Sequence, residues 1–146
     1  MNDIFIDDLY REVIIDHYKN PRYTTPIDNP TVVEEGVNPL CGDHIKLSLR
    51  IIDNAIEAVS CSSKACSICT ASASMMTELI QHQPLDRVDN YIADFKSWMT
   101  ADTPASGDVV PGDLESLGGV RKFPVRIKCA LLPWNTLQLA INTVKK

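Results

Sequence analysis

The chain has 146 residues, 45% of them hydrophobic, and a formal net charge of -5. A chain of that size buries roughly two thirds of its unfolded surface, so it needs neither a disulfide nor a metal merely to have a core. Its composition excludes a disordered chain, its lack of basic clusters argues against nucleic-acid binding, and no apolar run is long enough to span a membrane.

Residues 4–19 predict an amphipathic helix, with Ile6, Leu9, Tyr10, Val13 and His17 on one face, ended by Asn20-Pro21. Residues 21–30 carry three prolines and predict a loop. Thr31 to Glu35 can add an edge strand. Ile45, Leu47, Leu49 and Ile51 alternate with His44, Lys46, Ser48 and Arg50, the period of a strand with one buried face. Asp53-Asn54 is a turn signal, and Ile56 to Cys61 is the returning strand of a hairpin. Residues 67–81, rich in Ala, Ser and Met and free of Gly and Pro, predict a close-packed helix. A further helix is expected from Pro84 to Trp98, with Val88, Ile92, Phe95 and Met99 near helical spacing.

Residues 100–119 are a loop-rich insertion, with two prolines, four glycines and at most a short helix at Leu114 to Leu117. Trp134, Leu137, Ile141 and Val144 form a last helical stripe, with Pro133 in its first turn. The expected fold class is α+β: one domain over residues 1–146, a small antiparallel three-stranded sheet with helices on one face.

Five cysteines is an odd number, which argues against a disulfide framework. The acidic start, Met1 to Asp8, is not followed by a long apolar run, so no signal or transit peptide is expected. The expected location is the cytoplasm, where thiols stay reduced. Cys41 and Asp43 flank Gly42, which lets the backbone bend so that thiol and carboxylate approach one ion. Cys66 falls where strand gives way to helix, and a helix N-terminus favours thiolate.

Cys129 precedes the last helical stripe, with Arg126 and Lys128 as nearby cations. Three thiolates and a carboxylate suit tetrahedral Zn²⁺. The separations are not those of a zinc finger or ribbon, so spacing leaves open three unrelated core cysteines. Cys61 is expected in the core, and Cys66 to Cys69 also spells C-x-x-C, the spacing of a redox dithiol. His17, His44 and His82 are expected to be structural or solvated, with His44 close enough in sequence to Asp43 to reach a metal shell.

Three phrases, Asn38 to Asp43 (N-P-x-C-G-D), Cys66 to Met76 (a cysteine leading A-S-A-S-M-M) and Arg126 to Trp134, together resemble the IscU/SufU/NifU-N-terminal iron–sulfur cluster assembly family. Leu9-Tyr10-Arg11 through Asp16 to Arg22 is similar to its first helix, so the resemblance covers essentially the whole chain. Lys128 stands where scaffold-type members usually have His, and Gly119 to Cys129 fits the G-V-x-x-F-P-x-R-I-K-C phrase of the SufU type. Ser63-Lys64-Ala65 replaces the usual glycine-rich approach to the second cysteine, and Cys69 stands where Ser is usual.

The resemblance implies a SufE/NifU-like fold and Zn²⁺ held by Cys41, Asp43, Cys66 and Cys129. It also implies a sulfurtransferase that takes persulfide sulfur from a SufS-type cysteine desulfurase and passes it to downstream iron–sulfur assembly proteins. In the implied mechanism a histidine of the desulfurase replaces Cys41 on zinc, and the freed Cys41 thiolate accepts the sulfur. The alternative is a non-enzymatic scaffold assembling an iron or [2Fe–2S] cluster on the same cysteines.

Overall fold

The structure, a computed structural model, describes residues 2–101 and 111–145, with residues 2–10 given by their backbone alone. Helix α1, Asn2–Lys19, stops at the Asn20-Pro21 pair as expected. Strands β1 (Val32–Asn38), β2 (Asp43–Ile52) and β3 (Ala55–Lys64) then form one antiparallel sheet in the order β1-β2-β3. The edge strand thus runs three residues beyond the expected Glu35, to the proline that ends it. Helices α2 (Ser67–Ile80) and α3 (Leu85–Thr100) follow. A 3-10 helix, Gly112–Lys122, leads into the last helix, α4, Pro124–Lys145. Residues 102–110 of the loop-rich insertion lie outside the described residues.

The alternation in β2 decides which face of the sheet is covered. Ile45, Leu47 and Leu49 are fully buried, while Lys46 between them is exposed. Burying a side chain of that size is worth about 1.5–3 kcal/mol each, so the register is strongly held. In α2 the small residues allow burial on nearly every side: Cys69 through Thr77 are all buried. Opposite them, Trp134 of α4 stacks on Phe95 of α3 with ring centroids 4.6 Å apart.

Two differences from expectation concern α4. It starts at Pro124, not beside Pro133, so Cys129 lies inside the helix and Pro133 is an interior proline. Either proline could open a helix, because a first-turn residue needs no N–H. Tertiary packing decides between them, since residues 124–132 must turn Cys129 and Ala130 into the core, where both are fully buried. The 3-10 helix is likewise longer than the short segment expected at Leu114 to Leu117.

His17 is structural and wholly buried: Nδ1 meets Ser74 Oγ at 2.7 Å and Nε2 meets Asp113 Oδ2 at 2.8 Å, tying α1 to α2 and to the 3-10 helix. Among the described residues no helix is long and apolar enough to cross a membrane.

Candidate metal centre

The sheet register brings the three cysteine phrases to one end of the molecule. Asn38 pairs with Asp43, closing a hairpin whose turn, residues 39–42, carries Cys41. The Cys41–Asp43 segment is therefore a tight turn rather than extended chain, and Gly42 supplies its positive φ of 71°. On the other side of β2, His44 pairs with Lys64, so Asp43 lies beside the exit of β3 and thus beside Cys66. Helix α4 crosses β1 where Gly36 has no side chain. A Cβ there would lie 2.1 Å from Thr136 Oγ1. That close approach carries Cys129, two turns earlier in α4, to the same end of the sheet.

Three of the four predicted residues, Cys41, Asp43 and Cys129, form one compact group, and Cys66 adjoins it through Asp43. Cys129 Sγ is 3.2 Å from Cys41 Sγ, and Cys66 Sγ is 3.8 Å from Asp43 Oδ2. Donor atoms of Cys41, Asp43 and Cys129 all lie within 4.8 Å of one another. Zn–S bonds of about 2.3 Å place sulfurs roughly 3.8 Å apart in a tetrahedron, so this donor set fits a zinc ion. Asp43 is 2% exposed, and its Oδ1 accepts the Cys66 backbone N–H at 2.8 Å, leaving Oδ2 toward the sulfurs.

The thiols are held differently. Cys66 is the N-cap of α2, and its sulfur accepts the Cys69 N–H at 3.4 Å, one of the helix's orphan donors. Cys129 is fully buried in α4. Cys41 is half-buried in its turn, next to Leu40, which is 71% exposed.

Burial, then the hydrogen bonds with Cys41, Asp43 and Cys66, push the Cys129 thiol well above its ordinary value. A divalent ion bound beside the Cys129 thiol would offset that penalty. A protein cation also faces these groups. Arg126 is held above its usual value, first by the charge of Cys66 and, after an opposing desolvation, by Cys129 and Cys41. Arg126 and Lys128, the two cations expected here, are both exposed, and Arg126 is the one that interacts with the sulfurs.

The other candidates fall outside. Cys61 is 4% exposed and burial pushes its thiol up to about 12, as suits a core thiol. Cys69 is fully buried, and desolvation first, then the charge of Asp43, also raises it. All five cysteines are free. His44 is half-exposed and its Nε2 meets Glu35 Oε1 at 2.8 Å.

One participant escaped the sequence reading of roles. Asn38 Oδ1 accepts the Leu40 N–H at 3.3 Å, and Nδ2 points to Cys129 Sγ at 3.8 Å, so one amide braces both the Cys41 turn and the Cys129 sulfur. The signal was its type, since Asn before Pro at a strand end folds its side chain onto the turn that follows.

Comparison with known proteins gives the family. The chain is 39% identical to the zinc-dependent sulfurtransferase SufU of Bacillus subtilis, over 93% of this chain and 91% of that one. It is 37% identical to the iron–sulfur cluster assembly scaffold protein IscU of Streptococcus pyogenes, over 94% of this chain and 85% of that one. Among solved structures it superposes with TM-score 0.82 on an iron–sulfur cluster assembly scaffold protein for the SUF system from Fervidobacterium islandicum, at 30% identity, covering 89% and 94% of the two chains. A NifU-like protein (N-terminal) from Brucella abortus shares the fold with TM-score 0.82 at 21% identity over 96% of each chain. Residues 9–146 match the family described as NifU-like N terminal domain, and the chain belongs to that family.

Proposed function

We propose that this protein is a cytoplasmic zinc-dependent sulfurtransferase of iron–sulfur cluster assembly that accepts persulfide sulfur on Cys41 from a SufS-type cysteine desulfurase. Cys41, Asp43, Cys66 and Cys129 would hold the zinc, which when bound keeps the thiols deprotonated. The observation that carries the reading is the inequality of the thiols. Cys66 caps a helix and Cys129 is buried inside one, whereas Cys41 sits in a half-exposed turn. Cys41 and Cys66 are both part-exposed, and of the two only Cys41 is tied into no helix, so it is the thiol free to move toward a partner.

The transfer needs only this chain's thiolate and the partner's persulfide. Cys41 Sγ attacks the outer sulfur and forms a new S–S bond. The partner's own S–S bond breaks, and its cysteine leaves as thiolate. The outer sulfur then passes to downstream assembly proteins. Exposed apolar side chains include Leu40, next to Cys41 in sequence and 71% exposed, together with Val37, Phe123 and Val125. The sulfurtransferase name of the Bacillus subtilis relative supports the same activity.

Native mass spectrometry with elemental analysis should find about one zinc per chain, by the precedent of four-ligand sites. Cys41→Ala should abolish stimulation of the desulfurase; a variant that stimulates fully refutes Cys41 as acceptor. The scaffold reading, which the Streptococcus pyogenes relative favours, requires anaerobic reconstitution with iron and sulfide to give a stoichiometric, transferable cluster. A colourless protein that keeps its zinc through that treatment counts against it.

A further inference from the structure

On the reading of the thiol cluster as a metal site, on which this inference rests, two of the ligands belong to different helices. Cys66 caps α2 and Cys129 lies in α4, so their separation depends on how those helices are pinned together. Helix α4 is incomplete where it carries Cys129. Pro133 has no N–H, so the Cys129 carbonyl, four residues earlier, receives no helical bond from it.

The next carbonyl in that turn, Ala130, accepts a bond from outside the helix: Ser72 Oγ of α2 donates to it at 2.7 Å. The same hydroxyl accepts the Trp134 indole N–H at 3.1 Å. Ser72, Ala130 and Trp134 are all fully buried, so bulk water has no access to replace either bond. Stacking of Trp134 on Phe95 fixes where the indole N–H points.

We propose that Ser72 is a positioning residue of the thiol cluster, its hydroxyl setting the place of Cys129 relative to Cys66. It does so by bracing, from α2, the turn of α4 that Pro133 weakens. It touches neither metal nor sulfur donor, and acts only through the Ala130 carbonyl and the Trp134 indole. Loss of a group that orients a ligand typically costs 10- to 100-fold in metal affinity, about the range expected here.

Cobalt in place of zinc gives the test, because its visible bands report ligand number and geometry independently of activity. Ser72→Ala should bind Co²⁺ at least about tenfold more weakly than the unaltered protein, with displaced bands. Trp134→Phe, which keeps an aromatic side chain but is smaller and lacks the N–H, should shift the bands less and in the same direction. It carries the comparison if Ser72→Ala does not fold. Ile56→Val, in the core on β3, is the control: it should lower the melting temperature and leave the cobalt bands unmoved.

Cobalt affinity and bands of Ser72→Ala and Trp134→Phe equal to those of the unaltered protein would overturn the role of Ser72 alone. So would changes no larger than those of Ile56→Val. An unaltered protein that takes up no cobalt would overturn the metal-site reading together with it.

Discussion

Gly36→Ala is the sharpest test of how α4 is seated. The added methyl would lie 2.1 Å from Thr136 Oγ1, 3.2 Å from Leu132 Cδ1 and 3.3 Å from Thr136 Cβ. An ordinary contact begins near 3.4 Å, so the hydroxyl must retreat by more than 1 Å or the helix must lift. Rotating Thr136 away forfeits its bond to the Leu132 carbonyl at 2.8 Å, worth about 0.5–1.5 kcal/mol. Lifting the helix loses packing, and overpacking of this kind costs about 1–3 kcal/mol.

At roughly 2–4 °C per kcal/mol for a chain near this size, the melting temperature should fall by about 2–12 °C in a thermal unfolding scan. Thr136→Ala removes the clashing oxygen, so the double variant Gly36→Ala/Thr136→Ala should lie closer to Thr136→Ala than Gly36→Ala lies to the unaltered protein. Additive losses in that cycle, or an unchanged melting temperature in Gly36→Ala, would refute the close approach of β1 and α4.

Two further outcomes are expected. Gly42→Ala meets no atom within 4 Å but must adopt a φ of +71°; it should cost about 1 kcal/mol in denaturant unfolding and loosen metal binding as the Cys41 turn reshapes. The Cys61 thiol is raised from 9.0 to about 12 in the fold. The unfolded chain therefore loses that proton first. Cys61 contributes fully below pH 9.0, and stability falls by up to about 1.4 kcal/mol per pH unit between there and about pH 12. Cys61→Val should flatten that alkaline slope in urea titrations, and an unchanged slope would show that Cys61 does not set it.

Legibility followed the range of the physics. The β2 alternation is a local pattern, and it predicted the buried faces of Ile45, Leu47 and Leu49. The small residues of α2 likewise announced a close-packed helix, though not that it would be buried on nearly every side. The four site residues were named from their phrases, not from spacing, because nothing in the intervals between Cys41, Cys66 and Cys129 encodes the sheet register that joins them.

The start of α4 was misread because two prolines offered equally good local starts, and only the burial of Cys129 and Ala130 chooses between them. The anchoring of His17 was invisible for a similar reason. Its partner Asp113 lies 96 residues away, and that pairing belongs to tertiary structure alone.

The turn that carries Cys41 has a kinetic consequence. Its four residues join two paired strands, and Leu40 within it is 71% exposed. Moving Cys41 away from the other sulfurs means rotating a few backbone torsions and giving up the Asn38 bonds to Leu40 and Cys41, with no helix to unwind. Motions of such short loops run on nanosecond to microsecond scales, far faster than local unfolding. Withdrawing Cys66 would uncap α2, and withdrawing Cys129 would open α4. Of the three thiols, Cys41 is the one whose displacement disturbs no helix.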